Sequence, residues 1–158
     1  MNLAFKQILV ATDFSAPSAL ALEYAHTLAR RFGASLAVVH IVEEPFPAGS
    51  EFYPPEIAAY RTRLIDEGTR ALANAVAAIT DVTISAEVLV GATASRIVEA
   101  AAERQADLIV MGTRGRGAVA ALLMGSVAER VLRTADCPVM TVHDPRAAVE
   151  QARARLAS

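Results

Sequence analysis

Five short apolar runs punctuate this chain, separated by longer stretches in which apolar residues return every three or four positions. The first run, QILVAT at 7–12, is apolar on both parities and closes on Asp13, the pattern of a strand covered on both faces. Ser15, Ala16 and Pro17 then read as a helix start, Leu20, Tyr24 and Leu28 as its stripe, and Gly33 as the C′ residue that follows Phe32. SLAVVHIV at 35–42 is the second strand. The segment 44–55 holds four prolines and Gly49, so it is expected to be a loop, placed to act as a flap beside a site at this end of the sheet. From 56 to 78, Ile57, Tyr60, Leu64, Leu72 and Val76 recur among charged residues, which predicts a long amphipathic helix with a bend at Gly68.

The second half repeats the alternation. Val82, Ile84, Ala86, Val88 and Val90 share one parity, so the strand at 82–90 should bury one face and sit at a sheet edge. Thr93 is placed to cap the next helix, which carries Ile97, Val98, Ala101 and Arg104. Leu108, Ile109, Val110 and Met111 form a wholly apolar fourth strand between Asp107 and Gly112. Gly125 and Ser126 open another helix, with Ser126 as its N-cap and Glu129 completing a capping box ahead of Val131 and Leu132. PVMTV at 138–142, starting at Pro138 and ending at Val142, is the fifth strand, and Val149, Ala152 and Leu156 give the segment 144–158 a helical spacing.

Strand and helix alternate throughout with no hairpin signal, so the expected fold is α/β: one open, mostly parallel five-stranded sheet with helices on both faces, Rossmann-like or adenine nucleotide alpha hydrolase-like. At 158 residues the chain suits one domain, taken as 1–143, with 144–158 as a C-terminal tail. A net charge of −2 offers no broad cationic surface, which argues against nucleic acid as the main partner. No stretch reaches the ~20 apolar residues of a membrane span and no secretory leader is evident, so a cytoplasmic protein is expected. Cys137, the single cysteine, lies at a strand start and reads as a buried rather than a reactive thiol.

Candidate chemistry concentrates between strands four and five. Gly112, Gly115 and Gly117 follow the apolar run at once, and with no Cβ they let backbone N–H groups come close to a ligand. The helix opening at Ser126 adds unpaired donors and the positive end of a dipole, so loop and helix together suit phosphate. In a doubly wound sheet, strands one and four should flank the switch point, with Asp13 and Gly112 at their carboxyl ends. Other readings compete. Gly115, Gly117 and Ala120 satisfy G-x-G-x-x-A, but that dinucleotide fingerprint belongs after the first strand. A Walker loop is excluded because no Lys-Ser or Lys-Thr follows these glycines, and a glycine-rich connector without a ligand remains open.

The spacing G-x2-G-x9-G-S, with VATDFS, HIVE, ADLIVMG and ADCPVMTV, resembles the universal stress protein family over residues 5–143, in its ATP-binding subgroup. That resemblance implies an ATP site, with magnesium. Ala11 and Asp13 would lie beside the nucleotide, and Ile41 would meet adenine through its main chain. Gly112, Thr113, Arg114, Gly115, Arg116 and Gly117 would pass around ribose and phosphates, and Gly125, Ser126 and Val127 would donate to the outer phosphates. The family also implies a homodimer, here expected through the strand at 138–142, and an unidentified protein partner. Phosphoryl transfer needs a positioned base and usually several metal-binding carboxylates, and Asp13 is the single obvious candidate. The expected role is therefore a nucleotide-dependent switch module, with a slow ATPase or autophosphorylating protein, or a nucleotide-free dimeric scaffold, as alternatives.

Overall fold

The computed structural model describes residues 4–43, 54–113 and 124–144. Among them are five strands, β1 (Gln7–Ala11), β2 (Ser35–Val42), β3 (Ile84–Val90), β4 (Leu108–Gly112) and β5 (Val139–Val142), and four helices, α1 (Ala16–Phe32), α2 (Pro55–Val76), α3 (Thr93–Glu103) and α4 (Ser126–Thr134). The strands lie in the order β3-β2-β1-β4-β5, each parallel to its neighbour, in one open sheet. This is the α/β architecture that the alternating pattern implies.

Strand parity decides which face each side chain reaches. Leu9, Ala11, Val39, Ile41, Ile109 and Met111 point to one side, where Ile97 and Ala100 of α3 and Ala128 and Val131 of α4 cover them. Ile8, Val10, Leu36, Val38, Leu108 and Val110 point to the other, beneath Ala21, Leu22 and Ala25 of α1 and Leu72 of α2. Each fully buried Leu, Ile or Val contributes about 1.5–3 kcal/mol, so β1 and β4, apolar on both parities, anchor both layers.

The two edge strands are less covered. In β3, Ile84 and Val88 are half-buried, Ala86 is exposed, and Leu89, of the opposite parity, is the buried residue. One apolar parity therefore does not mark one buried face here, because an edge strand overhangs the helices on both sides. Gly68 also has a role other than the expected bend. A Cβ there would stand 2.9 Å from His40 Cδ2 and 3.4 Å from Val88 Cγ2, so the glycine lets α2 approach the sheet.

The ends of the elements are pinned by specific bonds. Lys6 and Gln7 donate their main-chain N–H groups to Asp107 Oδ2 at 2.7 and 2.9 Å, which ties the start of β1 to the start of β4. Those two donors, Gln7 foremost, hold the Asp107 carboxyl below the usual carboxylate range. Gly33 ends α1 at φ +66°. At the end of α3, Gln105 takes the same left-handed place at φ 52°, while Gln105 N–H bonds Ala102 C=O and Ala106 N–H bonds Ala101 C=O. That is a Schellman closure with glutamine where glycine is preferred.

Candidate functional site

From β1 the chain turns outward to α1 on one face, and from β4 it continues towards α4 on the other, so the strand order reverses between β1 and β4. In open α/β sheets a crevice opens at the carboxyl ends of such strands. Here it is a cleft of about 380 Å³ bounded by the ends of β1, β2 and β4 and by the first turns of α1, α3 and α4. Its walls include Ala11, Asp13, Ile41, Gly112, Thr113, Gly125, Ser126 and Val127. All these predicted site residues therefore meet at one place. Arg114, Gly115, Arg116 and Gly117 lie outside the described residues, as do the loop at 44–53 and the tail beyond 144.

The turn after β1 is closed upon itself. Thr12 N–H donates to Val39 C=O at 2.9 Å, and Thr12 C=O accepts from His40 Nδ1 at 2.8 Å, which places a proton on that nitrogen. His40 is thus engaged by the backbone, and its ring packs 4.5 Å from that of Phe14. Phe14 sits at φ 63°, a strained conformation for a bulky residue, held by its N–H bond to Thr12 Oγ1 at 3.1 Å. Asp13 Oδ1 accepts from Ser15 N–H at 3.1 Å and from Ser15 Oγ at 2.5 Å. Ser18 Oγ donates to Ser15 C=O at 2.9 Å, so in the 3.1 Å Thr12–Ser18 contact the threonine must be the donor. Every hydroxyl hydrogen of Thr12, Ser15 and Ser18 is spent inside the turn. Ser15 Oγ also accepts from Ser18 N–H at 3.4 Å, which makes Ser15 the N-cap of α1, a role that Asp13 supports rather than fills.

The start of α4 is built differently. Thr113 N–H bonds Val142 C=O at 2.7 Å, and Gly125 N–H bonds Thr113 C=O at 2.8 Å, so the chain re-enters beside the place it left. That clamp holds Gly125 extended, at φ −65° and ψ 149°, and makes it the N-cap. The sequence expectation that Ser126 caps the helix is thereby corrected. Ser126 is the first helical residue, no side chain among the described residues caps the end, and the Glu129 main-chain N–H bonds Gly125 C=O at 3.0 Å. The N–H groups of Ser126, Val127 and Ala128 precede that first helical bond, and their residues line the cleft.

A third helix end meets the cleft at Thr93. The expected cap is again displaced by one residue: Ala92 occupies the N-cap position of α3, without a side-chain bond, and Thr93 Oγ1 donates to Glu43 Oε1 at 2.7 Å. Glu43 follows β2 directly, so a protein carboxylate stands at the first turn of α3, where the helix dipole favours it. On β2 itself, pairing with β1 ends at Val39. Main-chain groups two residues apart on a strand point the same way, so the N–H and C=O of Ile41 face the side that β1 has vacated.

Gly112 serves packing as well as the cleft. A Cβ at this position would meet Pro17 Cβ and Ser18 N at 3.0 Å, so only glycine lets β4 end against the first turn of α1. Cys137 is half-buried beside a recess of about 110 Å³ at the other end of the sheet, and burial pushes its thiol up from the ordinary value, as suits a structural role. Among the described residues no helix is long and apolar enough to cross a membrane, and no three His, Cys, Asp or Glu side chains cluster to hold a metal ion.

The model of the universal stress protein family matches residues 4–143. This chain belongs to the universal stress protein family. A relative in Methanocaldococcus jannaschii, universal stress protein MJ0531, is 39% identical over 149 residues, covering 90% of this chain and 84% of its own. The structure of MJ0577, from the same organism, shares the fold at TM-score 0.79 and 24% identity, over 90% of this chain and 98% of that one. Two further structures are complexes. One is a universal stress protein with cAMP, at TM-score 0.62 and 26% identity, covering 89% of this chain and 99% of its own. The other is the Archaeoglobus fulgidus protein with dAMP, at TM-score 0.60 and 25% identity, with the same coverage.

Within this universal stress protein, sequence reasoning missed Val39, Ile97, Met111 and Ala128, which also line the cleft. Parity was the available signal for the strand residues: Val39 and Met111 share a face with Ile41 and Ile109. Thr12 and Ser18 were missed as the buried bonding pair beneath Asp13, since nothing in a Thr-x5-Ser spacing announces a contact between a strand end and a helix.

Proposed function

We propose that this protein binds ATP, with magnesium, in the cleft between β1 and β4 and acts in the cytoplasm as a nucleotide-dependent stress-response switch. The observation that carries the reading is the first turn of α4, which no described side chain caps, at one end of a cleft whose walls are mainly apolar. Phosphate groups at that end would receive the N–H donors of Ser126, Val127 and Ala128 and the positive end of the helix dipole. The base would lie at the opposite end, where Ile41 offers an N–H and a C=O side by side against the apolar walls of Ala11, Val39 and Ile97. Donor beside acceptor matches the N1 and 6-amino edge of adenine. The cAMP and dAMP complexes among the structural relatives support an adenine nucleotide in this family.

Magnesium fits as a companion of the phosphates. Mg²⁺ is usually held by one or two carboxylates plus substrate phosphates and water, and Asp13 is the one carboxylate among the described residues that line the cleft. Bound there, the ion would neutralise phosphate charge. The same sparseness favours binding over turnover, since Asp13 already accepts two hydrogen bonds from Ser15 and no second carboxylate stands beside it among the described cleft residues. The test is calorimetry of ATP binding with magnesium, together with mass analysis of nucleotide released from denatured protein. Saturable one-to-one binding is expected, with phosphate release far below about 1 per second, the low end of ordinary enzymes. Protein that neither retains nor binds a nucleotide would leave the scaffold reading; fast release abolished by Asp13→Asn would make it an enzyme.

We further propose a homodimer through β5, because the edge strand Val139–Val142 is only partly covered, with Val139, Met140 and Thr141 half-buried. Pairing two such edges would satisfy their backbone groups. Light scattering at micromolar concentration should return twice the chain mass, falling to one for Val139→Pro; a single-chain mass for the wild type would rule the dimer out.

A further inference from the structure

Both chain neighbours of Asp13 are held by one side chain, that of His40. Before Asp13, the Thr12 C=O accepts from His40 Nδ1 at 2.8 Å; after it, the Phe14 ring lies 4.5 Å from the imidazole. The pairing of β2 with β1 ends at Val39, opposite Ala11, so the residue that follows stands beside the turn. His40 shares the parity of Leu36 and Val38, and its ring turns to the face that α1 and α2 cover, away from Val39 and Ile41. There α2 makes room for it. A Cβ on Gly68 would stand 2.9 Å from Cδ2 and 3.5 Å from Nε2 of the ring, so a side chain at 68 must push the imidazole or the helix away. Phe14, at φ 63°, is a strained residue of the kind that persists only when its surroundings over-determine it, and the imidazole is one of those surroundings.

Given nucleotide and magnesium binding in the cleft as proposed above, we infer that His40 is a positioning residue for Asp13: it fixes the Thr12–Phe14 turn from the α2 face and so sets the place of the carboxylate that meets magnesium. A backbone bond before Asp13 and a ring contact after it hold the residue between two fixed points, while two bonds from Ser15 fix its side chain. A carboxylate binds a metal well only when its own supports hold it, and loss of such an outer support costs about 10- to 100-fold in metal affinity. His40 acts through a main-chain carbonyl and a neighbouring ring, so the expected loss is at the lower end, about tenfold. The donor is Nδ1. Asparagine, whose amide nitrogen stands close to where Nδ1 does, is therefore the conservative replacement, and leucine, bulky without a donor, the disruptive one.

Calorimetry on the full chain gives the magnesium gain, the ratio of ATP affinity with magnesium to that in EDTA. The wild type should show a clear gain, and Asp13→Asn should remove it. His40→Leu should lower the gain about tenfold, and His40→Asn should restore most of it. Gly68→Ala reaches the same ring from outside the cleft. It should lower the gain in the wild-type background and change nothing further beside His40→Asn, whose shorter side chain clears the added Cβ. Amide NMR spectra of the ligand-free variants should show them folded, with the Asp13 and Phe14 resonances displaced in His40→Leu and returned in His40→Asn. Should His40→Leu not fold, the Gly68→Ala cycle decides alone. If His40→Leu weakens ATP equally with and without magnesium, or only melts earlier, the imidazole is a packing residue and the inference is overturned. ATP binding by the wild type with no magnesium gain also overturns it while leaving nucleotide binding intact. Failure of the wild type to bind ATP at all removes the nucleotide reading itself and this inference with it.

Discussion

Two helix starts face each other across the cleft, and they look alike in sequence. Ser15 stands before Ala16 and Pro17, and Ser126 three residues before Glu129, so both read as helix starts. Only the first is a cap. At α1, Ser15 accepts from Ser18 N–H, Asp13 holds Ser15, and the hydroxyl hydrogens of Thr12 and Ser18 are consumed nearby. At α4, Thr113 clamps Gly125 as the last extended residue, so Ser126 falls inside the helix and no described side chain caps the end. Capping is thus decided by where the chain re-enters, which a local pattern cannot register. A satisfied helix start has nothing left to offer an anion, whereas an unsatisfied one at a cleft wall does.

The contrast is broken most forcefully by filling the open end. Ser126→Asp places a carboxylate at the first turn of α4, as Glu43 already stands at α3. A carboxylate near a helix N-terminus adds about 0.3–1 kcal/mol of stability. Against a bound triphosphate the same charge is repulsive, by about 4 kcal/mol for unit charges 4 Å apart at an effective dielectric of 20. The variant should therefore melt at or above the wild-type temperature while losing ATP affinity by about a hundredfold or more. Unchanged affinity in calorimetry would show that the phosphates lie elsewhere.

A gentler pair of substitutions separates the two ends. Ser126→Ala removes no cap, so its melting temperature should hold, while loss of a hydroxyl bond to phosphate should weaken ATP about ten- to a hundredfold. Ser15→Ala should do the reverse: it removes a cap worth about 1 kcal/mol, and Ser15 touches the cleft only indirectly, through Asp13 and Ser18. If Ser126→Ala destabilises as much as Ser15→Ala, the serine caps α4 in solution and the asymmetry is lost.

How far the sequence reaches is clear from the same residues. Runs such as QILVA and LIVMG read as central strands because both parities are apolar, and the structure buries both. Gly33 read as a helix end because its φ of +66° suits glycine. Asp13 and Gly112 read as site residues because they follow or end strands, and strand ends meet at a switch point whatever the side chains do, whereas Ile41 was implied by the family resemblance. What failed to show was long-range: Gly125 held by Thr113, Thr93 turned to Glu43, and Gly68 emptied for His40. Each joins segments whose spacing carries no periodic signal, and each needs the folded backbone to become visible.

The smallest test asks whether stability and affinity are independent in this protein, on which the comparison of helix ends depends. Gln105 closes α3 at φ 52°, far from the cleft, in the position that Gly33 occupies at the end of α1. A left-handed conformation costs a residue with a Cβ about 1–2 kcal/mol, and glycine gives back about 0.5–1 kcal/mol in lost chain entropy. Gln105→Gly should therefore stabilise by about 0.5–1 kcal/mol, a rise of roughly 1–4 °C in Tm for a domain of this length. The Schellman bonds from Gln105 N–H and Ala106 N–H involve the backbone alone, so they survive the change. ATP affinity should remain at the wild-type value. A gain in stability accompanied by a change in affinity would mean that α3 moves as a unit, carrying Thr93 with it, and the effects assigned to Ser15 and Ser126 would then have to be separated by double-mutant cycles with Gln105.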